Sequence, residues 1–195
     1  MDKISYALGL SIGNNFQSSG IKDLQVEDFT RGLMDVLTDA KPAISYDEAK
    51  SVINAYFVKL RQEKMALNKE AGEEFLRINK HKAGVVELPS GLQYEVLKMG
   101  TGAKPTAKDK VKCHYHGTLI NGTVFDSSVQ RGTPAVFGVS QVIPGWVEAL
   151  QLMPVGSKWR LFVPSNLAYG EHGAGEIIEP NSTLIFDVEL LDIVK

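Results

Sequence analysis

The stretch KVKCHYH at residues 110–116 decides the fold class of the second half of the chain. Its apolar residues alternate with lysines and histidines, so apolar side chains point to one face and polar side chains to the other. The same two-residue period returns in KWRLFV at 158–163 and in LIFDVELL at 184–191. This pattern is typical of antiparallel strands with one buried face. It predicts a sheet.

The composition changes near Gly84. Residues 1–83 contain one proline and five glycines, whereas residues 84–195 contain seven prolines and thirteen glycines. Because glycine and proline mark turns and are unfavourable inside helices, the first part is predicted to be helical. We therefore expect an α+β protein with a helical domain at 1–83 and a sheet domain at 84–195. One short helix is predicted in the sheet domain, from Pro144 to Leu150.

The helical part contains two short amphipathic segments and one long one. Apolar residues recur at helical spacing over residues 4–16 and 29–37. A capping box, in which the hydroxyl of Ser45 and the side chain of Glu48 each bind the other residue's amide, then predicts a helix start. No proline interrupts the chain from there to Lys82, so the third helix is expected to be unusually long.

The apolar face of this long helix allows two interpretations. Its first turns carry a dense face formed by Val52, Ile53, Tyr56, Phe57 and Leu60. One interpretation is a small helical domain with a solvated outgoing helix. The other is a homodimer formed through residues 1–83, with the long helix as a spacer. We favour the dimer, because apolar faces without an intrachain partner need another surface to cover them.

Composition and charge exclude several classes of protein. The chain of 195 residues has a formal net charge of -2, which provides no electrostatic case for nucleic acid as a partner. No window is long and apolar enough to predict a membrane span. The first residues do not form a signal peptide as written. The cytoplasm is therefore the default location, and a periplasmic or surface location is the alternative if a signal has been removed.

Catalytic constellations are not apparent in the sequence. The segment GTGAK at 100–104 lacks the spacing of a phosphate-binding loop. His114 and His116 share one face of a strand, where a solvated polar face is favoured over a metal pair. Cys113, the single cysteine, is expected to be a small buried hydrophobe rather than a nucleophile. We therefore expect neither a cofactor nor a metal ion.

Six motifs in the second half occur in an order and spacing that are highly specific. They are HYHG at 114–117, GTVFDSS at 122–128, VIPGW at 142–146, MPVG at 153–156, LAYG at 167–170 and FDVELL at 186–191. Together they resemble the FKBP-type peptidyl-prolyl cis–trans isomerases, over a match from about Leu92 to Val194. The helical part looks like the dimerisation segment of the two-domain bacterial members, the macrophage-infectivity-potentiator-like group, although this part of the match is looser.

The resemblance implies an antiparallel sheet curled around the short helix, with a shallow apolar pocket between them. It assigns Trp146 to the floor of the pocket. Asp126 and Tyr169 are implied at the polar rim, and Arg131 is implied to order Asp126 and its loop. The amide of Ile143 and the hydroxyl of Tyr169 would hold substrate carbonyls. The implied walls are Tyr115, Phe125, Val142, Ile143, Ile178 and Phe186. This sequence departs from the family pattern at Ala135 and Ala174, which are expected to open one wall.

The implied activity is acceleration of the isomerisation of X-Pro bonds, which assists protein folding without a cofactor. The expected mechanism is distortion of the amide in a dry aromatic pocket, with no nucleophile or general base. For Asp126, bracing of a loop through Arg131 and a direct electrostatic role are both open. The implied partners are proline-containing peptides, unfolded proteins, a second copy of the chain and macrolide inhibitors. The rival hypothesis is a dimeric chaperone or interaction module in which isomerase activity is incidental.

Overall fold

The computed structural model describes residues 1–194 and divides into two compact units, the first ending at Gln62 and the second beginning at Glu63. The first unit contains the helices α1 (Lys3–Ser18) and α2 (Val26–Leu37) and the beginning of α3 (Tyr46–Asn79). Within residues 1–194, no helix is long and apolar enough to cross a membrane.

The ends of the helices follow from local sequence signals. The carboxylate of Asp2 accepts the amide N–H of Ser5 at 2.7 Å and caps α1, and Gly20 follows the helix with a φ of 81°. The hydroxyl of Ser45 accepts the amide N–H of Glu48 at 3.1 Å, as the capping box predicts. The long helix, α3, therefore begins where the sequence indicated.

The first unit has no buried core. Among residues 1–62, all of which are described, no residue is buried. Large apolar side chains are open to solvent along all three helices, including Leu8 at 59% and Phe57 at 43% exposure. A helical unit of this kind does not bury enough apolar surface to be stable by itself.

The second unit is built on a seven-stranded antiparallel sheet with one helix against it. The spatial order of the strands is β1-β2-β6-β7-β3-β4, and β5 also pairs with β3. The helix, α4, spans Pro144–Leu152. The strands are β1 (Val85–Glu87), β2 (Gln93–Lys98), β3 (Lys110–Leu119), β4 (Val124–Ser127), β5 (Ala135–Gly138), β6 (Lys158–Val163) and β7 (Leu184–Val194). The predicted α+β class is confirmed.

One hydrophobic core fills the space between the sheet and α4. Trp146, Ala149 and Leu150 of α4 pack with apolar residues from the inner faces of the strands. Cys113 belongs to this core with no exposed surface, and burial raises the pKa of its thiol to about 12. The thiol is therefore protonated at neutral pH, as expected of a buried hydrophobe.

The compact units divide inside α3 rather than at the composition change near residue 84. Phe75 of α3 lies against Phe162 of β6, with ring centroids 6.0 Å apart. Asn79 is fully buried, and its side-chain amide donates to the Oε1 atom of Gln93 at 3.0 Å. The last turns of α3 thus belong to the sheet unit. The functional boundary at 83/84 remains a prediction.

Candidate active site

A cavity of about 740 Å³ opens between the sheet, α4 and the loop that follows Tyr169. Nine of the ten residues that the resemblance implies line it. These nine are Tyr115, Phe125, Asp126, Val142, Ile143, Trp146, Tyr169, Ile178 and Phe186. The tenth, Arg131, lies outside the lining. The fold thus brings the implied residues to one place, and their individual roles remain predictions.

The floor of the cavity is a cluster of aromatic rings around Trp146. Its indole lies edge to face with the rings of Tyr115 at 5.5 Å, Phe137 at 5.4 Å and Phe186 at 5.2 Å between centroids. Phe125 packs in the same way on Phe186, at 5.4 Å. Edge-to-face packing fixes each ring against its neighbours. The floor is therefore a rigid apolar surface.

The polar rim is a network of Asp126, Tyr115 and Arg131. The Tyr115 hydroxyl donates to the Oδ2 atom of Asp126 at 2.5 Å. Arg131 forms an ion pair with Asp126, and its Nη2 atom donates to the Tyr115 hydroxyl at 2.9 Å. Arg131 thus contacts the carboxylate from outside the cavity, and its implied role in ordering Asp126 stays a prediction.

This network sets the charge of the rim. Partial burial raises the pKa of Asp126, but hydrogen bonds from Tyr115 and Arg131 outweigh burial and leave it below its ordinary value. Burial and the hydrogen bond to Asp126 raise the pKa of the Tyr115 phenol. At neutral pH the cavity therefore presents an ionised carboxylate held by a neutral phenol.

Two hydrogen-bond donors are available at the cavity. The amide N–H of Ile143, at the N-terminal end of α4, donates to no acceptor within residues 1–194. The phenol of Tyr169 is 40% exposed and has no hydrogen-bond partner among the described residues. A bound peptide can therefore offer carbonyl oxygens to both groups.

Sequence reasoning missed five lining residues, namely Phe137, Gln141, Gly175, Glu176 and Ile177. Phe137 follows Ala135 at the two-residue period of β5, so the strand pattern could have identified it. Ala174 lines the cavity, whereas Ala135 does not. The small residue at 135 therefore does not open the cavity directly.

The histidines of β3 bond to serines. The Nδ1 atom of His114 lies 3.0 Å from the Ser128 hydroxyl, and that of His116 lies 3.0 Å from the Ser127 hydroxyl. In the part of the chain that the structure describes, no three His, Cys, Asp or Glu side chains are placed to hold a metal ion.

The geometry of the cavity indicates the kind of ligand that it can hold. A rigid aromatic floor accepts a flat apolar group, and the two groups at the rim can donate hydrogen bonds to the carbonyl oxygens on either side of it. A proline residue between two peptide bonds has this shape and chemistry. The cavity is therefore suited to a prolyl peptide.

Comparisons with known proteins agree with this interpretation. The sequence profile described as FKBP-type peptidyl-prolyl cis-trans isomerase matches residues 101–191, and that of the domain amino terminal to it matches residues 1–96. The chain is 46% identical to the FKBP-type 22 kDa peptidyl-prolyl cis-trans isomerase of Escherichia coli strain K12, over 97% of this chain and 94% of that protein. It is also 46% identical to the outer membrane protein MIP of Legionella longbeachae, over 100% of this chain and 86% of that protein.

A solved structure extends the agreement to the fold. The crystal structure of FkpA from Escherichia coli matches with a TM-score of 0.81 and 35% identity, over 98% of this chain and 95% of that chain. The chain belongs to the FKBP-type peptidyl-prolyl cis-trans isomerases. It is an enzyme that interconverts the cis and trans forms of X-Pro bonds.

Proposed function

We propose that the cavity at Trp146 is the catalytic site and that it acts by distorting the X-Pro amide. The observation that supports this proposal is an aromatic floor beside two hydrogen-bond donors that have no acceptor among the described residues. The proline ring lies on Trp146, while the amide of Ile143 and the hydroxyl of Tyr169 hold the flanking carbonyls. Val142, Ile178, Phe125 and Phe186 exclude water around the ring.

The mechanism follows from the chemistry of the amide. Rotation about a peptide bond meets a barrier of ~18–20 kcal/mol because resonance keeps the bond planar. A twisted amide has lost this resonance, and its C–N bond is less polar than that of the hydrated planar form. A dry aromatic surface therefore binds the twisted form better than the planar one, which accelerates the reaction. No proton needs to move.

Tyr169→Phe is expected to lower kcat/KM for a short X-Pro peptide by about two- to tenfold, the range of one hydrogen bond. The ring remains, so packing is preserved while the donor is lost. A protease-coupled peptide assay measures the rate, and thermal unfolding checks the fold. An unchanged rate would show that the hydroxyl does not hold a substrate carbonyl.

The pH dependence of catalysis should be nearly flat from about pH 6 to 8, because no histidine transfers a proton in this mechanism. The lowered pKa keeps Asp126 ionised throughout this range. The contribution of ionised Asp126 to the stability of the folded state is complete above about pH 3.9, the ordinary pKa of aspartate. It is lost as the pH falls through the lower pKa that Asp126 has in the folded state. A histidine-like step in kcat/KM with the fold intact would contradict the mechanism.

The helical unit is proposed to form a homodimer through residues 1–83. The absence of any buried residue in 1–62, together with the apolar faces of its helices, supports a second copy as the missing cover. Two linked sites give an unfolded client a second point of attachment and raise its effective concentration. The protein would thereby assist folding. The rival hypothesis is a chaperone with incidental isomerase activity, and it predicts that the refolding of clients continues when the cavity is inactivated.

The remaining partners and the location are proposals of the same kind. Proline-containing peptides and unfolded proteins are the proposed substrates, and macrolides that occupy the aromatic cavity are the proposed inhibitors. The default expectation of the cytoplasm is not supported, whereas the relative named an outer membrane protein supports the alternative location in the cell envelope. Fractionation of the native cells with an antibody to the chain separates the two.

A further inference from the structure

One wall of the cavity is a loop that is not part of the sheet. In this loop, residues 173–183, Ala174 and Ile178 exchange backbone hydrogen bonds at 2.8 and 3.2 Å. Gly173 has a φ of 66°, and a Cβ atom there would lie 2.2 Å from the Ile178 carbonyl oxygen. The backbone is therefore folded tightly at the cavity, and Ile178 is 8% exposed.

The base of this loop is bound to α3 by a polar cluster. The Nζ atom of Lys64 lies 2.5 Å from the Oε1 atom of Glu179. The side-chain amide of Asn68 donates to the Oε2 atom of Glu179 at 3.1 Å and to the carbonyl oxygen of Pro180 at 3.0 Å. These groups fix the two residues that follow Ile178 in the chain.

Two further contacts continue along the same face of α3. The side-chain amide of Asn181 donates to the carbonyl oxygen of Met65 at 3.3 Å. Gly72 lies so close to the loop that a Cβ atom there would be 2.3 Å from the Oγ1 atom of Thr183. Only glycine permits this approach without a shift of the helix or the loop.

We infer that Lys64, Met65, Asn68 and Gly72, here named the α3 clamp, position the cavity wall for catalysis. The spacing of these residues places them on one helical face. None of them lines the cavity, and the groups that they bind or approach, on residues 179–183, do not line it either, so they are positioning residues and not catalytic ones. The inference rests on the proposed function, because it assumes that the cavity is the catalytic site.

The polar part of the clamp is peripheral to the core, although Gly72 is buried, and this predicts a local rather than a global effect. Lys64 and Glu179 are partly exposed, with side-chain exposures of 56% and 34%, and the hydrophobic core includes no clamp residue. Loss of the clamp should therefore open the loop while the sheet stays folded. If only a fraction of molecules then holds the wall in place, KM rises by the inverse of that fraction while kcat changes little.

The test compares three variants of the full-length chain. Asn68→Ala removes two hydrogen bonds, and Gly72→Ala places a methyl group against Thr183 although alanine favours the helix. Lys69→Ala is the matched control, because the exposed side chain of Lys69 pairs with Glu73 on the same helix, at 4.0 Å, rather than with the loop. Steady-state kinetics with an X-Pro tetrapeptide gives kcat and KM separately, and amide hydrogen exchange reports on residues 173–183 and on the sheet.

We expect KM to rise by about three- to tenfold in Asn68→Ala and Gly72→Ala, with kcat within about twofold of the parent. Exchange should accelerate in the loop and not in β3, β6 or β7, and Lys69→Ala should match the parent in every measurement. Faster loop exchange with an unchanged KM, or a fall in kcat at constant KM, would overturn the inference. Unchanged kcat/KM in both Tyr169→Phe and Asp126→Asn would instead refute the proposed catalytic site, which the exchange data do not test. If Asn68→Ala fails to fold, Gly72→Ala decides the question.

Discussion

Phe57→Glu is expected to convert the proposed dimer of the full-length protein to a monomer of 21.4 kDa in sedimentation equilibrium. Phe57 lies in the first part of α3 with 43% of its surface exposed, next to Tyr56, in the unit that has no core. An unpaired charge buried in an apolar interface is destabilising by about 3–5 kcal/mol. This range corresponds to roughly a hundredfold to several thousandfold weaker association.

The activity of this variant should separate the two parts of the proposed function. Catalysis on a short peptide should stay within about twofold of the parent, because the cavity lies in the other unit. Acceleration of the refolding of a proline-limited protein should fall by about tenfold as the second site is lost. Ile78→Glu is the matched control, since Ile78 lies on the same helix with 52% exposure but in the sheet unit. A parent chain that sediments as a monomer at micromolar concentration with native helicity would end the dimer hypothesis.

The architecture of the sheet unit was predictable because its signals are local. The alternation at 110–116 became β3, and proline near its first turn marked α4. The division of the chain into two compact units inside α3 was not predictable from such local signals. Helical periodicity identifies an apolar face but not the surface that this face contacts. The packing of Phe75 on Phe162 could therefore not be predicted from the sequence. Gly72, the one glycine of the long helix, was the only local sign of a close contact.

In the candidate site, too, residues in local motifs were predictable and residues placed by long-range contacts were not. The resemblance placed nine residues in the cavity, and all of them except Ile178 lie in the quoted motifs, which the fold brings together. Glu176 and Ile177 lie in a loop whose shape depends on contacts with Gly173 and α3, and no short motif marks such contacts. Lining residues that are placed by such long-range contacts are therefore difficult to identify from the sequence.

Asp126→Asn is expected to lower kcat/KM by about ten- to a hundredfold, the range of a hydrogen bond or ion contact that involves a charged group. The substitution keeps the shape of the side chain and removes its charge. Asp126 lines the cavity and Arg131 does not, which favours a direct action of the carboxylate on the twisted amide over a role confined to bracing the loop. Arg131→Gln should accordingly lower the rate by only about two- to fivefold.

The double variant distinguishes the direct action from the brace. If the carboxylate acts directly, Asp126→Asn lowers the rate in the Arg131→Gln background nearly as much as in the parent. If Asp126 only braces the loop through Arg131, each single variant shows the whole loss and the double variant adds nothing to it. Asp187→Asn is the matched control, because it breaks an Asp–Arg pair of the same kind, with Arg160 at 2.6 Å, outside the cavity. Peptide kinetics measures kcat/KM for all four variants, and thermal unfolding checks their folds. Equal losses of kcat/KM in Arg131→Gln and Asp126→Asn would show that the Asp126 carboxylate does not act on the amide. The dry aromatic floor would then lower the barrier alone.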